Sequence, residues 1–297
     1  VFTINTASRV SFYNLSFRRT INPGAAAQGL LTYGHLQANG DVIGCTFQDV
    51  AQISSTNNIG IYYRGSNGFF SGNSFSGFYY GIFMDGPAQN PFVNSNMFLS
   101  NTLTNYIYRA IYALSQNDLM ISANQISGFT GTSTLGAGIW TSNTYNLQLS
   151  ENNIFGGMST QGILVNNPNS DSTNARTNVN RIFNNVINGE QGVNLASTTT
   201  LAPQLIHITG SFSATANPPN PRDAVEVKNN TVYYKLNTTT TSTTTGALYI
   251  TGGTPSSRVW AHIGVRNNHF QIDPLTGNLP STLRLVRYAN GSQLDSL

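Results

Sequence analysis

The chain has 297 residues, 39% of them hydrophobic and only 8% charged, with a net charge of +3 from 14 basic and 11 acidic side chains. An ordinary soluble domain carries about a quarter charged residues; the hydrophobic share excludes a charged disordered tail, and scattered arginines with lysine only at 228 and 235 exclude a basic stripe for nucleic acid. One cysteine, Cys45, excludes an intramolecular disulfide framework and a cysteine metal cluster, and no apolar run approaches the roughly 20 residues of a membrane span.

Asn, Ser, Thr and Gly replace the missing charge, and these serve turns rather than long amphipathic helices. No sustained helical period is present. The chain opens at Val1 rather than a Met, which predicts a processed or partial chain.

In chain order, one template recurs: apolar, any, any, Asn, any, apolar. It reads FYNLSF (12–17) and VIGCTF (42–47), with Leu15 and Cys45 in the Asn place. Then come FSGNSF (70–75), VNSNMF (93–98), ISANQI (121–126), LSENNI (149–154), IFNNVI (182–187), VKNNTV (227–232) and VRNNHF (265–270). Successive copies are 30, 28, 23, 28, 28, 33, 45 and 38 residues apart. Between them lies a second signal, a small residue followed by an apolar strand start: GIYYR (60–64), GIFMD (81–85), AIYAL (110–114), GIWTS (138–142), GILVN (162–166), GVNLA (192–196) and ALYIT (247–251). The longest gap also holds Leu205–Thr209. A fixed period containing about three short strands is a solenoid.

This pattern resembles the right-handed parallel β-helix (pectate-lyase-like) superfamily over nearly the whole chain. The resemblance implies an all-β right-handed parallel β-helix solenoid of about nine coils, each of three short strands. At about 4.8 Å per coil the rod is roughly 43 Å long. It also implies a tight bend between the second and third strands, with the Asn in left-handed backbone conformation. Stacked coils would place Asn73, Asn96, Asn124, Asn152, Asn185, Asn230 and Asn268 in one hydrogen-bonded ladder.

A single domain over 1–297 is expected, with 1–11 and 271–297 as capping or linking segments. The Pro-rich stretch 211–223 and the Thr/Ser run 237–246 read as loop insertions, and 166–178 as a further excursion. The N-x-S/T sequons at Asn14, Asn229, Asn237 and Asn290 read as products of composition.

Strand side chains alternate in and out. The inward series is Ile61, Ile82, Ile111, Ile139, Ile163, Val193 and Leu248. One residue later the outward column is Tyr62, Phe83, Tyr112, Trp140, Leu164, Asn194 and Tyr249, followed by Arg64, Asp85, Leu114, Ser142 and Asn166. Aromatic rings at coil spacing, flanked by polar groups, suit a sugar chain, whose pyranose faces are apolar and whose hydroxyls need partners. Tyr62, Arg64, Phe83, Tyr112 and Trp140 are therefore the candidate carbohydrate-binding residues. A partner subunit covering the same strip is the competing expectation.

Glycoside hydrolysis needs two carboxyls. Asp85, at the end of an outward face, and Glu190, just before GVNLA, are the candidate catalytic residues. Tyr62 with Arg64 or Arg109 is a candidate base-and-neutraliser pair. The acid cluster of the calcium-dependent pectate lyases and the Asn-Thr-Asp, Asp-Asp and Gly-His-Gly signatures of polygalacturonases are missing. No cofactor or metal is expected.

Low charge with abundant Asn, Thr, Ser and Gly resembles viral tailspikes and tail fibres. That resemblance implies a homotrimer on the virion surface, outside the cell, that recognises host surface polysaccharide and joins other tail proteins through flanking domains. Cleavage of the polymer stays open. A secreted polysaccharide lyase, hydrolase or epimerase and a non-catalytic structural or adhesive rod are the alternatives.

Overall fold

The computed structural model describes residues 1–6, 8–20, 28–52, 54–86, 95–133, 135–158, 160–168, 179–191, 203–210, 224–237, 246–252, 262–276, 283–289 and 294–296. The expected insertions 211–223 and 237–246, except Asn237 and Gly246, lie outside them, as do Val193 and Asn194.

Three parallel sheets run the length of the rod, with ten, ten and nine strands among the described residues. Each coil contributes one strand to each sheet, and every strand pairs with its counterpart one coil away. The first sheet comprises Phe2–Ile4, Gln28–Tyr33, Asn58–Tyr63, Tyr80–Asp85, Arg109–Leu114, Ala137–Ser142, Gln161–Asn166, Gln204–Gly210, Gly246–Gly252 and Val286–Ala289. The second runs from Phe12–Tyr13 to Leu294–Ser296, and the third from Ser16–Arg19 to His269–Thr276. The terminal segments 1–11 and 271–297 thus contribute strands to the stack.

Several strands of the second and third sheets are only three residues long and present one inward side chain between two outward ones, whereas first-sheet strands run to six or seven residues. Ser74–Ser76, Thr102–Thr104 and Gln125–Ser127 in the third sheet bury Phe75, Leu103 and Ile126 and turn Ser, Thr or Gln outward. Inward residues of successive coils stack on one another. Phe17 and Phe47 lie 4.7 Å apart and Phe47 and Phe75 4.8 Å, with rings nearly parallel. The small residue near the start of most first-sheet strands is an inward one, at Gly29, Gly60, Gly81, Ala110, Gly138, Gly162 and Ala247, while Leu205 fills that place in Gln204–Gly210. A Cβ on Gly81 would meet both a Leu103 Cδ and the Ala110 carbonyl oxygen at 2.7 Å, closer than real atoms approach.

At the bend between second and third sheets, buried asparagines form the ladder. The ladder runs through Asn73, Asn101, Asn124, Asn152, Asn185, Asn230 and Asn268; from Asn101 on, each Oδ1 accepts the main-chain N–H and the Nδ2 of the Asn one coil before, at 2.9–3.1 Å, and Asn73 Oδ1 accepts the Cys45 N–H. Two expectations are corrected here. Asn96 is not a rung. It sits at the bend between first and second sheets, accepting from Gly68 N–H and donating to the Gly65 carbonyl and Gln116. Asn101 takes its place, because FLSNTL (98–103) fits the template as well as VNSNMF does. Nor is the ladder Asn the left-handed residue. Positive φ falls one position earlier, at Asn14, Gly44, Gly72, Ser100, Ala123, Glu151, Asn184, Asn229 and Asn267. The ladder position needs an amide that both donates and accepts, and the preceding one needs only a residue that tolerates αL.

Candidate functional site

The outer face of the first sheet presents one continuous column. Strand register sets Thr32 beside Tyr62, then Phe83, Tyr112, Trp140, Leu164, His207, Tyr249 and Arg287. Ile61, Ile82, Ile111, Ile139, Ile163 and Leu248, one residue earlier, are fully buried. The strand after Gln161–Asn166 is Gln204–Gly210, so Ile206 and His207 occupy the places expected for Val193 and Asn194.

From Tyr62 to Trp140 the rings are half-buried and touch one another. Centroids lie 5.4 Å apart for Tyr62 and Phe83, 4.7 Å for Phe83 and Tyr112 and 6.1 Å for Tyr112 and Trp140. Beyond them Leu164 and Tyr249 are buried. A second aromatic row flanks the strip at the bend before each strand: Tyr80 stacks on Tyr112 at 5.4 Å, and Tyr79 on Tyr108 at 4.9 Å. The alternation argument missed these because it breaks at the inward-turned small residue. The repeated Tyr in FYYG and YIYRA was the available signal.

Arg109 enters from the same bend. Its guanidinium carbon lies 4.4, 4.1 and 3.2 Å from the ring centroids of Tyr108, Tyr112 and Trp140, and Nη2 donates to the Tyr108 hydroxyl at 3.0 Å. At the other edge, the Tyr62 hydroxyl donates to Asp85 Oδ2 at 2.7 Å, and Arg64 Nε stands 3.8 Å from the same oxygen. Burial, and then the bond to Asp85, push the Tyr62 phenol above its ordinary range. That phenol holds its proton, which disfavours Tyr62 as a base.

The two candidate catalytic carboxyls are not brought together. Asp85 lies on the first sheet. Glu190 lies on the third, exposed and in register with Gly157 and Lys235. Other described acids also lie off that face: Asp118 at the bend between first and second sheets with Asn117 and Asn146, Asp41 and Glu226 on the second sheet, and Asp49 and Asp273 on the third. Among the described residues no three His, Cys, Asp or Glu side chains converge to hold a metal.

His207 continues the column beyond Leu164. Its Nδ1 lies 3.3 Å from Gln161 Nε2 and its Nε2 3.3 Å from Thr251 Oγ1. Burial lowers the imidazole to about 4.

The family model described as the right handed beta helix region matches residues 35–210, more than half the chain. No curated protein matches it.

Proposed function

As the chain belongs to the right-handed β-helix family, we propose that it recognises the surface polysaccharide of a microbial host through the outer face of its first sheet, as part of a virion spike. The observation that carries this reading is the run of touching, half-buried rings from Tyr62 to Trp140, one per coil. Rings at a spacing of about 5 Å give a sugar chain a continuous apolar track. Arg64 and Asp85 beside it supply hydroxyl partners.

We further propose three parallel copies as the working assembly. The outer face of the second sheet supports this. Tyr13 and Met97 are exposed there, with Ile43, Phe69, Leu99 and Met120 partly so, over five successive coils. Apolar surface of this extent marks an interaction face. Three equivalent strips convert weak sugar contacts into avidity. Asp85 as the one described carboxylate on the first-sheet face favours binding over hydrolysis.

The test is a panel of microbial surface polysaccharides, assayed for binding and for new reducing or unsaturated uronic ends, with sedimentation to count subunits. Binding without new ends, by a trimer, is the expected result. Cleavage of one polymer would make this an enzyme, and no binding would leave a structural rod.

A further inference from the structure

We infer that the strip selects an anionic glycan and that Arg109 is the residue that selects it, an inference that rests on the glycan-recognition reading above. Arg109 is only 6% exposed. Its guanidinium offers five donors. The bond to the Tyr108 hydroxyl uses one, and Nε, fully buried, has no partner. Among the described residues no carboxylate pairs with it; the ion pairs there join Arg9 to Asp41, Arg64 to Asp85, and Arg181 and Lys228 to Glu226. A charge withdrawn from water without a counter-ion is expensive to hold, and ring faces repay only part of that cost.

Among the described residues the surroundings do not supply the missing charge. Asp85, on the same face, already accepts from Tyr62 and stands beside Arg64. Further along the column Arg287 lies 6.0 Å from the Tyr249 ring centroid, another cation against an aromatic face. The outer surface of this sheet therefore sets Arg64, Arg109 and Arg287 against Asp85.

The position of the guanidinium discriminates between sugars. It lies over the Trp140 ring, where a pyranose would stack. A neutral sugar must compete with the cation for that face. A sugar bearing a carboxylate, or a sulfate or phosphate ester, brings the counter-charge and takes up donors that the protein leaves free.

The experiment measures binding of the full chain to alginate, hyaluronan and polysialic acid, each beside its carboxyl-reduced neutral form, and to dextran sulfate beside dextran. The expected result is that at least one acidic polymer binds about tenfold or more tighter than its neutral counterpart. Preference for carboxylated polymers or for dextran sulfate identifies the anion. Arg109→Met should bring the ratio close to one, whereas Arg109→Lys should keep part of it and Trp140→Ala should weaken both forms alike. The wild-type comparison stands even where a variant fails to fold. Equal binding of acidic and neutral forms, or a ratio that survives Arg109→Met, would overturn the inference and leave glycan recognition intact. Failure of every polymer here and in the broader panel would overturn both.

Discussion

Replacing Asn152 by leucine, a side chain of similar size, tests what holds the coils together. Asn152 Oδ1 accepts from the Asn124 main-chain N–H at 3.1 Å and from Asn124 Nδ2 at 2.9 Å. Its Nδ2 donates to the Ile121 carbonyl at 2.9 Å and to Asn185 Oδ1 at 3.0 Å. Leucine removes all four bonds, but not every partner is orphaned. Asn124 Nδ2 keeps the Phe98 carbonyl, and Asn185 Oδ1 keeps the main-chain N–H of residue 152. The Ile121 carbonyl stays on the parallel sheet ladder with the neighbouring strand, so the group left without a partner is the Asn124 N–H, in a fully buried residue. A buried polar group left unpaired costs about 1–3 kcal/mol and a lost amide bond about 1 kcal/mol, so the expected loss is about 2–4 kcal/mol. Thermal and guanidinium melts of Asn152→Leu measure it. Asn153→Ala is the control, because its amide reaches only Gln125 at an exposed position, and it should cost under about 0.5 kcal/mol. A loss within about 1 kcal/mol for Asn152→Leu would refute the ladder as a stabilising spine.

Three further outcomes follow from the same geometry. Trp140→Ala should weaken polysaccharide binding at least about tenfold while costing under about 1 kcal/mol of stability, since the ring is half-buried on the outer face; a large stability loss with binding intact would make it packing. Glu151→Gly should stabilise the fold by about 0.5–1 kcal/mol, read as a raised melting midpoint, because residue 151 holds φ at +57° where the same column carries glycine at 44 and 72, and a lowered midpoint counts against the assignment of strain. His207 is held neutral, its folded value of about 4 lying below the ordinary 6.5. Its contribution is therefore full above about pH 6.5 and declines as pH falls towards 4, by about 1–3 kcal/mol. Melts of wild type and His207→Gln between pH 7 and 4 should converge on acidification, and parallel pH curves would discount the imidazole.

The fold was legible because its rules are local. Short strands with one buried residue, and longer ones opened by a small residue and an apolar one, repeat in phase without any long-range information, and the family match over 35–210 agrees. The errors were errors of phase. VNSNMF and FLSNTL overlap at Phe98, and only the strand pairing of Thr102 with Ser74 and Gln125 decides that Asn101 is the rung. GVNLA and Leu205–Thr209 both read as the strand after Asn166, and the pairing of Ile163 with Ile206 chose the second. The strip itself followed from alternation, whereas Tyr79, Tyr80, Tyr108 and the seating of Arg109 belong to a bend where alternation fails. Glu190 became a candidate only because GVNLA read as a first-sheet strand; the residue stands on the third sheet.

The parallel pairing of all three sheets has a mechanical side. Hydrogen bonds between coils, main-chain and ladder alike, lie along the long axis, while the covalent chain winds across it. A pull on the two ends is thus borne by hydrogen bonds in tension, coil against coil, and a push compresses close-packed rings such as Phe17, Phe47 and Phe75 face to face. Such a rod is stiff when driven end-on into a surface and yields by peeling when drawn back.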